Sequence, residues 1–447
     1  MSLLRHGQGV FTRLTPHPGG GSAIVGGIGS RPAELAQVNT IGTTWRSVSS
    51  DGVYGFGGIT SIERIETATL TEIDMVATPF GTLTGITAGG TDSVSCTLHT
   101  TGGALLAAVR NLDDQLSFVY RCADPVAAPT VWTAAPVINL GDDGISHVTI
   151  GNGMLTRQSM INITLGDGAP AQIAAEYNSN SGVQRCQLWI STDDGVTFTR
   201  FWQAVTAAGT LHFRHFHGVY QNPDNNQLLV LIGDTGDQAC MLQGPAPPNA
   251  AAAAGYWSSI DDTAPAGIVA AGAGAGLTFN IQFGAQRNRL IQVAFIGGWI
   301  VTCCDASDVG ETGFRAYRSS DLSDEHLRWL PPRQTPTDPE YDTDIIGIGA
   351  HQLPNGDWLF AEWITSGYTG GRMAFYTTTN GTKFFEAATV DMENPTTGGA
   401  HGEYMFNDAQ GNIWIMGTYG LYIDDVTNKN FIVEQLGPWR GSTVLAV

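Results

Sequence analysis

The stretch "WISTDDGVTF", Trp189 to Phe198, runs from the apolar end of one strand through a polar turn into the start of another. Ser191, Asp193, Gly195, Thr197 and Phe198 fall in the order Ser-x-Asp-x-Gly-x-Thr-aromatic. Each residue type has a local task. An Asp carboxylate accepts backbone N–H groups of the turn that follows it, and Gly takes a positive φ without steric penalty. Phe198 is then free to point into a core.

Two weaker copies of the pattern follow. "TTTNGTKF" keeps Thr377, Gly381 and Phe384 but has Thr379 where the Asp belongs. "SSDLSDEHLRW" keeps Ser319, Asp321 and Trp329 but has an insertion and no Gly. All three sit at the same place in a larger, worn repeat. The stretches from Ile348, Gly399 and Phe216 each open beside a His, turn at an Asn/Asp/Gly cluster and continue as an apolar strand. The fuller copies add a third strand, a turn and a fourth strand. Four antiparallel strands repeating at roughly fifty to sixty residues predict a β-propeller, each sheet forming one blade.

On that template the blades fall near 87–140, 141–205, 206–262, 270–333, 343–392 and 400–440. The expected fold is all-β: a β-propeller of six four-stranded antiparallel blades, or seven if residues 51–86 supply another in place of a closing strand. Residues 1–50 are expected to form an extended N-terminal arm or anchoring segment, and 51–447 the propeller. Two Pro/Ala/Gly-rich stretches, 244–255 and 261–276, read as loops.

The Asp-box pattern and the repeat together resemble the sialidase-like (BNR-repeat) β-propellers over residues 87–440. The resemblance implies that the motif closes the third and fourth strands of a blade, away from the ligand-binding end, so Asp193 and Asp194 are expected to be structural. A Ca²⁺ loop would need six or more oxygens, which this turn does not offer. The resemblance does not extend to a sialidase active site, which needs an Arg cluster, a Tyr–Glu nucleophile and an Asp acid/base. The family's Arg-Ile-Pro entry is missing, and the nearest string, "TRLTP", places Arg13, Leu14 and Pro16 in the presumed arm. Arg214, Arg315 and Arg372 are available for a cluster, but their convergence is not readable from sequence.

Composition narrows the partners. With 21 Lys plus Arg against 41 Asp plus Glu, the formal charge is −20, which opposes a broad polyphosphate surface, so no nucleic acid is expected. Lys occurs only at Lys383 and Lys429, leaving the positive charge almost wholly to Arg. No stretch approaches the length of a membrane span, and the first residues lack the apolar core of an export signal. The six Cys show no CxxC spacing and lie mostly in apolar runs, so buried free thiols are expected.

The candidate ligand-binding residues are histidines and their neighbours. His147, His217, His351 and His401 lie near the starts of predicted first strands, the strands that line a propeller's channel. Arg214 and His215 precede His217, and Glu403 follows His401. Three readings stay open: proton transfer on a glycan, since imidazole titrates near neutrality; a shared metal, though no HxxxH or HExxH spacing supports one; or histidines that satisfy backbone carbonyls. No cofactor and no metal are expected. The resulting expectation is a virion or surface-assembly protein of the phage tail-fibre or appendage type. It would bind a cell-surface glycan or host receptor without catalysis, as a homo-oligomer joined to other assembly proteins through the N-terminal arm, in the virion or an extracellular assembly. The alternative is a glycoside hydrolase or polysaccharide lyase using a His-lined funnel.

Overall fold

The computed structural model of the protein describes residues 2–6, 9–13, 35–38, 45–58, 61–69, 71–76, 83, 92–111, 116–140, 148–150, 157–178, 186–203, 216–233, 239–257, 276–284, 286–304, 313–323, 325–329, 343–353, 356–366, 370–392, 404–409, 413–418 and 431–436. The chain divides into two compact units, the first of residues 45–290 with 320–323, the second of residues 1–44, 291–319 and 324–447.

The described residues of the first unit form four antiparallel sheets in chain order. Sheet 1 consists of Trp45–Val48, Tyr54–Gly57, Ile62–Glu66 and Thr71–Val76. Sheet 2 consists of Asp92–His99, Leu105–Asn111, Leu116–Cys122 and Ile138–Asn139. In sheet 3 the first edge is split: Val148–Ile150 and Met160–Thr164 both pair with Pro170–Asn178, which is followed by Gln187–Ser191 and Thr199–Gln203. Sheet 4 consists of Phe216–Gln221, Gln227–Ile232, Cys240–Pro245 and Asn280–Phe283.

The described residues of the second unit form three further sheets. Sheet 5 consists of Ala294–Ile296, Trp299–Cys303, Phe314–Arg318 and His326–Trp329. Sheet 6 consists of Thr343–Gln352, Trp358–Ser366, Gly370–Thr378 and Phe385–Met392, extended by the hairpin Ser2–His6/Gly9–Arg13 through Phe11 opposite Val390. Sheet 7 consists of Tyr404–Asn407, Ile413–Thr418 and Phe431–Leu436, and its fourth strand is Leu35–Val38. Successive four-stranded meanders place the all-β protein in the β-propeller class. Most of residues 51–76 form sheet 1, a full meander, and the strand that completes sheet 7 comes instead from Leu35–Val38.

Sequence dictates this arrangement through turns and alternation. The link between first and second strands recurs as one backbone turn. Thr100 N–H bonds the Ala104 carbonyl, Leu165 N–H that of Ala169 and Leu353 N–H that of Asp357, at 2.7–2.8 Å. The fourth residue of each is a Gly at φ between 88 and 95°, a conformation that strains other residues. Between turns, alternate side chains enter different cores. Leu105, Ala107 and Val109 pack toward sheet 1, and Leu106 and Ala108 pack toward sheet 3. A strand buried on both faces needs the continuous apolar run seen at Leu105–Val109. Each sheet is thus filling between its neighbours within the unit. In the second unit Val301, Phe314, Phe360, Tyr376 and Phe384 form the same kind of layer between sheets 5 and 6. All six Cys are free and buried. Among the described residues, no helix is long and apolar enough to cross a membrane.

Candidate functional site

Most of the sequence-predicted ligand residues fall outside the described residues: His147, Arg214, His215, His401 and Glu403. The other two, His217 and His351, are placed differently within their own sheets. His217 is the second residue of the first strand of sheet 4, whereas His351 is the ninth of ten in the first strand of sheet 6, beside the turn. The expectation that both open a first strand holds for His217 alone.

His217 is the extra residue of a β-bulge, lying between Phe216, in register with Ile232, and Gly218, in register with Leu231. A bulge re-aims its side chain. The ring is 1% exposed, and Nδ1 lies 2.9 Å from the Leu290 carbonyl. A carbonyl only accepts, so Nδ1 carries the proton in this contact. The device repeats in the same unit. Arg46 is the extra residue in the first strand of sheet 1, and its Nη1 donates to the Ser95 carbonyl at 3.3 Å. Ser95 is the extra residue in the first strand of sheet 2, and its Oγ donates to the Ile150 carbonyl at 2.7 Å. In sheets 1 and 2 the bulged first-strand side chain reaches a backbone carbonyl in the first strand of the sheet that follows, and in sheet 4 it reaches Leu290 of the same unit.

The Asp-box turn also joins sheets. Asp193 Oδ1 accepts Thr197 N–H at 2.9 Å and the Ser191 hydroxyl at 2.8 Å, while Oδ2 accepts the Thr197 hydroxyl at 2.6 Å. Partial burial raises the Asp193 carboxyl, but these donors, Thr197 first, outweigh it and hold the group below the usual carboxylate value. Asp194, at φ 60°, faces the preceding sheet. Arg121 bonds its side chain through Nη2 at 3.0 Å and its carbonyl through Nε at 2.8 Å, and Gly102 N–H donates to Oδ1 at 3.2 Å. Gly195, at φ 78°, is so close to sheet 2 that a Cβ there would lie 2.7 Å from Leu106 Cδ2. Phe198 packs on the core between sheets 2 and 3.

At the same end of this unit the first strands of sheets 2, 3 and 4 leave an open groove of about 410 Å³. Leu98, Met160, Ile161 and Val219 supply apolar surface; Gln158, Asn162, Tyr220 and Gln221 supply amides and one phenol. Two of the amides are committed to the walls. Asn162 donates to the His99 carbonyl at 2.9 Å and accepts Thr101 N–H at 3.1 Å. Gln221 donates to the Thr164 carbonyl and accepts Thr164 N–H, both at 2.7 Å. Each thereby mimics a strand pair with the sheet before it. Gly218 is the gap between the remaining polar side chains, since a Cβ there would meet Gln158 Cβ at 3.2 Å and Tyr220 Cε2 at 3.5 Å.

Titratable groups with shifted behaviour lie elsewhere. Burial pushes Glu176 up to about 8, although Trp189 Nε1–H and Gln187 N–H both donate to it at 2.9 Å. Burial likewise raises Glu362 well above its ordinary value, where Gln292 Nε2 donates at 2.6 Å. His99, next to groove residue Leu98, stacks on Phe56 at 5.5 Å; burial lowers its pKa against the pull of Asp51 and Asp194. Among the described residues no group of three His, Cys, Asp or Glu is placed to hold a metal ion. Sequence reasoning passed over Gln158, Asn162, Tyr220 and Gln221 because single amides and a Tyr carry no motif, and passed over Ser95 because a bulge is a property of pairing.

The sequence matches no protein-family model and no curated protein. Solved structures similar to the chain include the Dos1 propeller, at 8% identity and TM-score 0.45 over 88% of this chain and 78% of that one. YCF48 from Cyanidioschyzon merolae is 9% identical, with TM-score 0.45 over 90% of this chain and 98% of that one. The Hadza microbial sialidase Hz136 is 12% identical, with TM-score 0.37 over 86% and 73%.

Proposed function

We propose that the protein is a glycan-recognising β-propeller, the receptor-binding part of a larger surface assembly of the phage tail-fibre type, acting without turnover. The observation that supports recognition is the first-strand groove. Its eight lining residues offer amides, a phenol and apolar surface, the mixture that holds a polyol against a ring face. They include no carboxylate and no imidazole, whereas cleavage of a glycosidic bond ordinarily uses two carboxylates flanking it. His217, the described member of the expected funnel that opens its strand, spends Nδ1 on a backbone carbonyl, which favours a scaffold role for it.

In this reading the N-terminal segment joins the propeller to other proteins of a virion or extracellular assembly, and the working form is a homo-oligomer. The test has two parts. Binding and turnover are measured on the same glycan panel: retention without product is the expected result, and product release by the parent protein would sink the non-catalytic reading, its loss in His217→Ala assigning the turnover to the His-lined funnel. Residues 1–34 are then deleted, sparing the Leu35–Val38 strand that pairs with Phe431–Leu436. Loss of the oligomer or of incorporation with the remaining fold intact is expected; an unaffected assembly rejects the anchoring role.

A further inference from the structure

We infer that the groove between the first strands of sheets 2, 3 and 4 takes a neutral sugar, a pyranose without carboxylate, sulfate or phosphate, at the end of the unit where the Asp-box turn lies. The inference rests on the glycan-recognition reading and specifies its ligand class and place. The resemblance to sialidase-like propellers implies an acidic sugar bound at the opposite end, so the two expectations are separable.

The location follows from hydrogen bonds. Thr101 N–H caps the groove residue Asn162, and the next residue, Gly102, donates to Asp194 of the Asp-box. The groove therefore abuts the turns that the Asp-box holds in place. Its walls are preset: Asn162 and Gln221 are each bonded to backbone of the preceding sheet, so little order remains to be imposed on binding.

The ligand class follows from charge. None of the eight lining residues is Arg, Lys or His, so an anionic sugar would leave its charge without a partner. In the turn network beside the groove, Arg121 is already paired with Asp194 at 3.0 Å. The formal charge of −20 adds long-range repulsion of anions. A neutral pyranose meets none of these penalties. Its C–H face suits the half-buried Tyr220 ring, and its hydroxyls suit Gln158 across the gap left by Gly218.

The test uses the full-length protein with two ligand sets, neutral oligosaccharides of glucose, galactose, mannose and N-acetylglucosamine, and acidic ones carrying sialic or uronic acid, followed by calorimetry and ligand-observed NMR. Neutral ligands are expected to bind, with acidic analogues weaker by about tenfold or more. Gly218→Ala, which puts a methyl between Gln158 and Tyr220, and Tyr220→Ala are each expected to weaken binding about fivefold. Val131→Thr, on a surface loop of sheet 2 and 64% exposed, is the control expected to leave affinity unchanged. Thermal unfolding of each variant checks that it is folded. Acidic ligands binding as well as neutral ones, with the same sensitivity to Gly218→Ala, would overturn the ligand class and leave recognition standing. Neutral binding indifferent to both groove variants would overturn the location, and no binding by either set would overturn the recognition reading itself.

Discussion

The intact Asp-box turn at 191–198 and its worn counterpart at 377–384 solve one problem with different side chains. In both, a Gly in the left-handed region, at φ 78° for Gly195 and 68° for Gly381, lies where a Cβ would come within 2.7 Å of an aliphatic side chain on the second strand of the sheet before it. That neighbour is Leu106 in one turn and Val301 in the other. Both turns end in a Phe that packs on a core. The acceptor differs. Asp193 collects Thr197 N–H and its hydroxyl, while the amide oxygen of Asn380 collects Thr382 N–H, the Thr382 hydroxyl and Lys383 N–H at 2.8–3.2 Å. In the third turn Leu322 takes φ 60°, matching Asp194, and Asp321 accepts Ser323 N–H at 2.9 Å. The close approach and the aromatic persist because packing enforces them; the acceptor moves because any oxygen at the right place satisfies the turn.

The largest test of that comparison is the aromatic. Phe384 is 7% exposed and stacks on Phe314 at 4.1 Å, so Phe384→Ala is expected to cost about 3–5 kcal/mol in urea unfolding. Phe198 is only partly buried and its truncation should cost clearly less; equal losses would break the contrast. Gly195→Ala and Gly381→Ala come next. Each adds backbone strain and a clash, together about 2–4 kcal/mol, and the two should match within error by the same assay. A harmless Gly381→Ala would show that the worn turn no longer needs its close approach.

Smaller effects sharpen the acceptor. Asp193→Ala removes three hydrogen bonds and Asn380→Ala another three, each expected to cost about 1–2 kcal/mol, read locally by amide hydrogen exchange at Thr197 and Lys383. The smallest effect is a pH dependence that only one turn should show. The folded Asp193 carboxyl sits below its usual 3.8, so its contribution is present above that value and disappears as pH falls through the lower folded one. Asn380 does not titrate. Exchange at Thr197 should accelerate as pH falls below the usual carboxylate value of 3.8, relative to Lys383 after correction for intrinsic rates, and Asp193→Asn should abolish the difference. Parallel behaviour of both amides would show that the carboxylate is not what holds its turn.

Legibility followed distance along the chain. The Asp-box was readable because its partners are two to four residues apart. The Asn/Asp/Gly turn after Leu353 was readable for the same reason, since its closing hydrogen bond spans four residues. The worn copy at 377–384 was found by Thr377, Gly381 and Phe384, while Thr379 stood as the mismatch at the Asp position; the next residue, Asn380, supplies the acceptor. Sheet 1 was left open because neither end of 51–86 announces whether a strand pairs locally or with a distant segment. The strand at 35–38 takes its partner at 431–436, roughly four hundred positions along the chain, and a pairing over that separation is not announced by either segment.

By itself the sequence determined an all-β chain of repeated meanders, the turns at its Asn/Asp/Gly clusters and a strongly acidic composition. These are local or additive properties, written in adjacent residues. Tertiary structure alone decided that His217 is a bulge residue held on a carbonyl 73 positions away, and that Leu98, Gln158 and Tyr220 share one groove. A bulge and a groove exist only once strands have a register and sheets have neighbours. Contacts across such separations are selected by packing among whole sheets and leave no periodic trace along the chain.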